Sequence, residues 1–356
     1  MQEEKNKVTM QGLVCPVPLP HSEQVVLGHG SGGKMTQDLI AKIFYPRFEN
    51  PALLRGDDAA VVDMPESGRL AVCTDSHIVS PLFFPGGDIG RLAVCGTVND
   101  LAMVGARPLW ITTGFILEEG LPLETLERVA ISMKEAAEEA GVKITAGDTK
   151  VTERGSADSV FISTSGVGVV PAERDVGGAN AQPGDVVLLS GPVGDHGIAV
   201  LAARGELAFE TQLESDVAPL NHLVEVMFAV SPKIHVLRDP TRGGLATTLN
   251  EIARQSGVGI HLDERAIPVH PSVEAACEML GFDPLYVANE GKLIAIVAAE
   301  VADILLDAMR QNRDGVQACK IGEIKEDPKD RVLLRTSIGG TRIVDMLSGE
   351  MLPRIC

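Results

Sequence analysis

Between Ile89 and Val104 the chain reads as a helix with alanines, valines and leucines on nearly every side, among them Leu92, Ala93, Val98, Leu101 and Ala102. Gly105 stops it and Pro108 follows. A helix without a wet face belongs in a core. Asn99 and Asp100 sit in its middle. An unpaired carboxylate in such surroundings costs several kcal/mol, so Asp100 must meet a cation or a dense set of donors, and coordination to Mg²⁺ would supply that.

Other acids occupy comparable places. Gly56-Asp57-Asp58-Ala59-Ala60-Val61-Val62 puts two acids at the mouth of an apolar strand, and a short strand from Leu70 to Cys73 ends in Thr74-Asp75-Ser76-His77. A second helix, Leu123 to Ala140, stops at Gly141. The strand Val142 to Thr145 then delivers Gly147-Asp148-Thr149-Lys150-Val151, and Ser159 to Val170 is strand-like. Taken singly, each acid suits a solvated turn. As a set, Asp57, Asp58, Asp75, Asp100 and Asp148 point to one polyvalent cation site, because a hard cation with phosphates needs several oxygens at once.

Upstream, Val25-Val26-Leu27 runs into Gly28-His29-Gly30-Ser31-Gly32-Gly33-Lys34, with a helix expected over Thr36 to Ile43. The run nearly spells a P-loop, but Met35 stands where the Mg²⁺-binding hydroxyl should be. It reads either as a glycine lid whose Lys34 closes over phosphates or as a plain loop. Residues 1–22 form a polar leader.

Pro171 to Pro183 reads as an inter-domain connection, after which a second α/β unit begins with Gly184-Asp185 and the strand Val186 to Leu189. Two glycine turns, Gly191 to Gly197 and Arg238-Asp239-Pro240-Thr241-Arg242-Gly243-Gly244, each open a helix. Such turns suit anions, and equally suit simple capping. Val287-Ala288-Asn289-Glu290-Gly291-Lys292 leads into the buried strand Leu293 to Ala298. A net charge of −18 argues against nucleic acid or an anionic membrane as partner, and six scattered cysteines without a CxxC pair suit reduced thiols in a cytoplasm.

The chain closes on Pro353-Arg354-Ile355-Cys356. A thiol on the last residue can leave the body of the protein, while its own α-carboxylate disfavours the thiolate. Its reactivity must come from a site that the tail enters. Gly339-Gly340 reads as a hinge for residues 341–356; the alternative is a frayed end that happens to finish in Cys.

Together the acid motifs, Asn99-Asp100-Leu101-Ala102-Met103-Val104-Gly105, Arg238 to Gly244, Asn289-Glu290-Gly291 and the terminal Pro-Arg-Ile-Cys resemble the HypE family of hydrogenase maturation proteins. That family belongs to the superfamily of aminoimidazole ribonucleotide (AIR) synthetase and selenophosphate synthetase. The resemblance implies a two-domain α+β, PurM-like (AIR synthetase-like) fold. Its N-terminal domain (23–172) would pair with a second subunit's sheet in a homodimer barrel, followed by an α/β domain (173–338) and a mobile tail (339–356). ATP would lie between the domains with Mg²⁺ on Asp57, Asp58, Asp75, Asp100 and Asp148. Gly32, Gly33, Lys34, Asn99, Thr149 and Asp239 would lie at the phosphates. Cys356 would receive a carboxamide from the carbamoyltransferase HypF, with Lys150 as an electrostatic clamp and Glu290 as the base for its dehydration to a thiocyanate. The cyano group would pass to iron on the HypC–HypD complex. His77 reads as an assisting group or a structural histidine. A one-carbon carrier without dehydratase activity, and a small-molecule synthetase or kinase of the same superfamily, are the alternative functions.

Overall fold

The computed structural model of the chain describes residues 33–39, 60–63, 68–152, 155–205 and 212–349. Helix α1 (Lys34–Leu39) precedes strands β1 (Ala60–Asp63) and β2 (Arg69–His77), and a two-residue ribbon follows, β3 (Phe83–Phe84) with β4 (Gly87–Asp88). Then come α2 (Ile89–Met103), β5 (Arg107–Glu118), α3 (Leu123–Ala140), β6 (Lys143–Thr152) and β7 (Val160–Val170). The first sheet has the order β1-β2-β7-β5-β6. All its pairs are antiparallel except β5 with β6, which α3 connects as a crossover.

The helix expected at residues 89–104 is α2. The Asp88 carboxylate caps it by accepting from the N–H groups of Gly90 at 2.7 Å and Arg91 at 3.2 Å. Of its residues only Arg91 and Asp100 escape full burial. It lies across the sheet at close range because Gly166 on β7 has no side chain: a Cβ there would meet Thr97 Cγ2 at 2.6 Å and Leu101 Cδ1 at 2.9 Å. Gly166→Ala is therefore expected to destabilise the chain by about 1–3 kcal/mol through overpacking, read as a lowered urea midpoint.

The second domain contains β8 (Val186–Leu189), α4 (Asp195–Ala203), α5 (Asn221–Val230), β9 (Ile234–Arg238), α6 (Gly244–Ser256), β10 (Gly259–Asp263), α7 (Pro271–Leu280), β11 (Ile294–Val297), α8 (Ala302–Arg310), β12 (Cys319–Lys325), β13 (Arg331–Arg335) and β14 (Thr341–Val344). Its seven strands run in the order β14-β13-β10-β12-β8-β11-β9. Alternate side chains fill two layers, as strand geometry requires. Val187, Leu189, Ile294 and Ile296 meet Leu245, Leu249 and Ile252 of α6, while Leu188, Ala295 and Val297 meet Leu223, Met227, Leu305 and Met309 of α5 and α8.

The two domains share a core. Val200, Val217 and Ala288 pack into the cluster built on Leu92, Val98 and Ile162. The Arg174 guanidinium grips Glu225 through two bonds of 2.6 and 2.9 Å and also donates to the Gly105 carbonyl at 2.9 Å. This two-domain α+β architecture is the one the motifs imply.

Three expectations need correction. The strand expected over 142–145 continues to Thr152, because parallel pairing with β5 extends to Glu118↔Thr152. Asp75 lies inside β2 rather than beyond its end, since β2 pairs with β7 as far as His77↔Ile162. Gly339-Gly340 is no hinge: the Thr336 N–H donates to the Gly340 carbonyl at 2.8 Å and the Gly339 N–H to the Thr336 carbonyl at 2.9 Å, closing the β13–β14 hairpin. Residues 341–344 thus belong to the sheet. Among the described residues no helix is long and apolar enough to cross a membrane.

Candidate active site

Three loops of the second domain meet, and the Glu290 carbonyl of one of them accepts from Asn99 in the C-terminal half of α2 at 3.4 Å. Asn289, fully buried, ties them: its Oδ1 accepts from Gly194 N–H at 2.7 Å and its Nδ2 donates to the carbonyls of Pro240 at 2.8 Å and Val287 at 3.1 Å. Gly244, at φ +59, allows the third loop to come this close, since a Cβ there would stand 2.5 Å from the Leu285 carbonyl. The next residues are held by Asp216, which accepts from Glu290 N–H at 3.1 Å, Gly291 N–H at 3.2 Å and the Lys292 ammonium at 3.1 Å. Burial works against that carboxylate, but Lys292, His196 and the Glu290 amide outweigh it and hold its pKa below the ordinary range.

Opposite these loops stands the N-terminal domain's contribution. The Asp75 Oδ2 lies 3.1 Å from His77 Nε2, and its Oδ1 accepts from Ser76 N–H at 2.7 Å. Burial opposes the charge on Asp75, yet His77 and Ser76 keep its pKa lowered. Gly96 of α2 makes room for the pair: a Cβ there would meet His77 Nε2 at 3.0 Å and Asp75 Oδ2 at 3.2 Å. Asp100 follows Gly96 by one helical turn and shares its face.

Carboxyls interact across this domain contact. Glu290 is buried, its Oε1 has no hydrogen-bond partner among the described residues, and burial followed by the charges of Asp239, Asp216 and Asp75 pushes its pKa well up. Burial takes Asp239 up to about 6 against the pull of Arg238, with Asp75 adding to the rise. Arg242 is the cation felt by both Asp75 and Glu290.

A carboxyl whose folded pKa exceeds its unfolded one contributes stability below the unfolded pKa of 3.8 and loses it as pH rises through about 6. Asp239→Asn is accordingly expected to stabilise the nucleotide-free protein by ~3 kcal/mol at about pH 8 and by less than ~1 kcal/mol at about pH 4. Urea midpoints at the two pH values check this.

Of the residues expected at the site, the fold gathers Asp75, Asp239 and Glu290 into one electrostatic cluster, with Asp100 on the adjoining face of α2. Asn99 is 1% exposed and its amide is committed to backbone groups of the second domain. Lys34 is exposed and pairs with Asp38 at 2.8 Å, while its backbone N–H donates to Leu347 O at 3.0 Å. Gly33 lies against the same carbonyl. On β6, Asp148, Thr149 and Lys150 pair in register with Gly114, Phe115 and Ile116, and their side chains lie outside the described residues. Gly32, Asp57, Asp58 and Cys356 also lie outside them. Among the described residues no three His, Cys, Asp or Glu side chains stand together closely enough to hold a metal ion. Asp216, with its partner Lys292, escaped the sequence reading. Nothing in Glu214-Ser215-Asp216-Val217 marks it out, because its role depends on a segment more than seventy residues away.

Two family models match the chain: AIR synthase related protein, N-terminal domain, over residues 56–170, and AIR synthase related protein, C-terminal domain, over residues 182–335. The two models and the two-domain fold together define an AIR synthase-related protein. Among curated relatives, Carbamoyl dehydratase HypE of Cupriavidus necator is 58% identical over 335 residues, covering 94% of this chain and 95% of that protein. A solved structure of HypE in complex with ATP matches with a TM-score of 0.79 at 50% identity, over 94% of this chain and 100% of that one. One of a HypE–HypF complex matches at 0.82 and 50%, over 87% and 99%. The chain belongs to the HypE family, and it is an enzyme of the carbamoyl dehydratase class.

Proposed function

We propose that this chain uses ATP to dehydrate a carboxamide carried on its own Cys356 to a thiocyanate, supplying cyanide ligands for the iron of a nickel–iron hydrogenase. The observation that carries this reading is Glu290, a buried carboxyl with an oxygen unpartnered among the described residues, set where the two domains meet and repelled by Asp239, Asp216 and Asp75. An amide oxygen is a very poor leaving group. Transfer of the γ-phosphoryl group of ATP to that oxygen lets it depart as phosphate, and loss of the amide protons completes the nitrile. Carboxamide and ATP thus become thiocyanate, ADP, phosphate and a proton. Glu290 takes an amide proton as general base. Lys150 clamps the phosphate or carbamoyl oxygen, and Lys34 with Gly32, Gly33, Thr149 and Asp239 lies at the phosphates.

Asp57, Asp58, Asp75, Asp100 and Asp148 would hold Mg²⁺, which when bound neutralises charge on the phosphates. The donor set suits a hard cation, and the mutual repulsion of Asp75, Asp239 and Glu290 is what such a cation relieves. A HypF-type carbamoyltransferase supplies the carboxamide in the cytoplasm, and a HypC–HypD complex accepts the cyano group. A second copy of the chain fits the outer face of the first sheet, where Val72, Val167 and Trp110 stand directly across three strands and Val72 and Trp110 are 39% and 47% exposed.

The mass of the C-terminal peptide tests the proposal, after incubation with carbamoyl phosphate, a HypF-type transferase and Mg-ATP. A carboxamide on Cys356 that loses one water only with hydrolysable ATP is the expected result. A carboxamide that persists makes the chain a carrier. ATP turnover that survives Cys356→Ala makes it a small-molecule synthetase or kinase.

A further inference from the structure

Asn99 precedes Asp100 on α2, yet its amide is turned into the domain interface. Its Nδ2 donates to the carbonyls of Ala218 at 3.1 Å and Glu290 at 3.4 Å, and its Oδ1 accepts from the Leu220 N–H at 2.8 Å. Both amide hydrogens are therefore used, which leaves none for a phosphate. The Glu290 peptide is gripped on its other side by Asp216, 3.1 Å from the Glu290 nitrogen. Neighbouring Gly291 leaves no slack, since a Cβ there would stand 1.7 Å from the Asp216 carbonyl oxygen. One short stretch of rigid helix thus carries an acid of the cation set and, a residue away, the hydrogen bonds that hold the backbone of the base.

We propose that Asn99 is a positioning residue, which fixes the height of the Glu290 carboxyl over the Asp75 and Asp100 end of the N-terminal domain. The inference rests on the reading of Glu290 as the base. Without the amide, the loop of residues 289–292 keeps its Asp216 anchor but loses its register to α2. A displacement of about 1 Å at a reacting group costs on the order of 100-fold in rate.

The test is a double-mutant cycle on the full-length chain carrying the Cys356 carboxamide, read as single-turnover nitrile formation at saturating Mg-ATP, with the ATP dissociation constant measured for each variant. Asn99→Ala is expected to slow the step by about 10- to 100-fold while changing ATP affinity by less than about threefold. In a Glu290→Gln background the same substitution is expected to cost less than about threefold more, because the group it positions has gone. Weakened ATP binding with the saturated rate intact would place the amide at the nucleotide and overturn the inference. A full additive loss in the Glu290→Gln background would overturn it too, leaving Asn99 a general structural role. Wild-type activity in Glu290→Gln alone would instead overturn the base assignment, and the inference with it. Should Asn99→Ala fail to fold, Asn99→Asp keeps the shape and the acceptor for Leu220 but loses both donors, and the same cycle is read there.

Discussion

Glu290→Gln is expected to leave carbamoylation of Cys356 and ATP binding intact while slowing nitrile formation by about 10²- to 10⁴-fold, the usual worth of a positioned proton acceptor. The amide is nearly isosteric and meets the same backbone anchors, so the loss reports chemistry rather than folding. The pH dependence separates the base from a bystander. Burial, then Asp239, Asp216 and Asp75, favour the protonated form of Glu290. The acid form is inactive as a base, so the wild-type rate should rise with pH through a pKa well above that of an ordinary carboxylate. Glu290→Gln should lack that rise. If single-turnover measurements show the same rise in the variant, another group takes the proton.

The largest expected effect on stability falls at Asp216→Ala, about 3–5 kcal/mol. The substitution strands the Lys292 ammonium, which is 12% exposed, and strips the N–H groups of Glu290 and Gly291 of their acceptor. Urea unfolding of the full chain near neutral pH should show the loss, and Asp216→Ala combined with Lys292→Met should recover much of it by removing the buried charge. Because the folded pKa of Asp216 is depressed, its contribution is present above the unfolded value of 3.8 and disappears only as pH falls through the lower folded value. A wild-type midpoint in Asp216→Ala would mean that Lys292 finds solvent or another carboxylate.

Helix α2 was legible because its signal is local: an apolar surround, a stop at Gly105 and a proline soon after. Asp100 was legible as a residue of that helix for the same reason, whereas Asp75 and Asp148 lie inside strands that their own neighbours do not delimit. The limits of β2 and β6 were not legible, since a strand extends as far as its partner continues to bond it, and the partners β7 and β5 are distant in sequence. Gly339-Gly340 shows the same limit. Two glycines suit a hinge or a tight turn equally well, and only the pairing of β13 with β14 makes them a turn.

The proposed chemistry rests on residue types that can be read locally: carboxylates enough for a hard cation, a glutamate in an Asn-Glu-Gly stretch, and the Cys356 thiol. Which of those groups are poised together cannot be read locally. Asn99 carries the same side chain whether it meets a phosphate or a backbone carbonyl, and the choice follows from the loops that pack against α2. Asp216 is ordinary until Lys292 and the Glu290 amide come within reach. Local pattern determines elements and candidate chemistry because it depends on neighbours a few residues apart. Partners, burial and the resulting protonation of Glu290 and Asp239 depend on contacts between distant segments, and these only the folded chain decides.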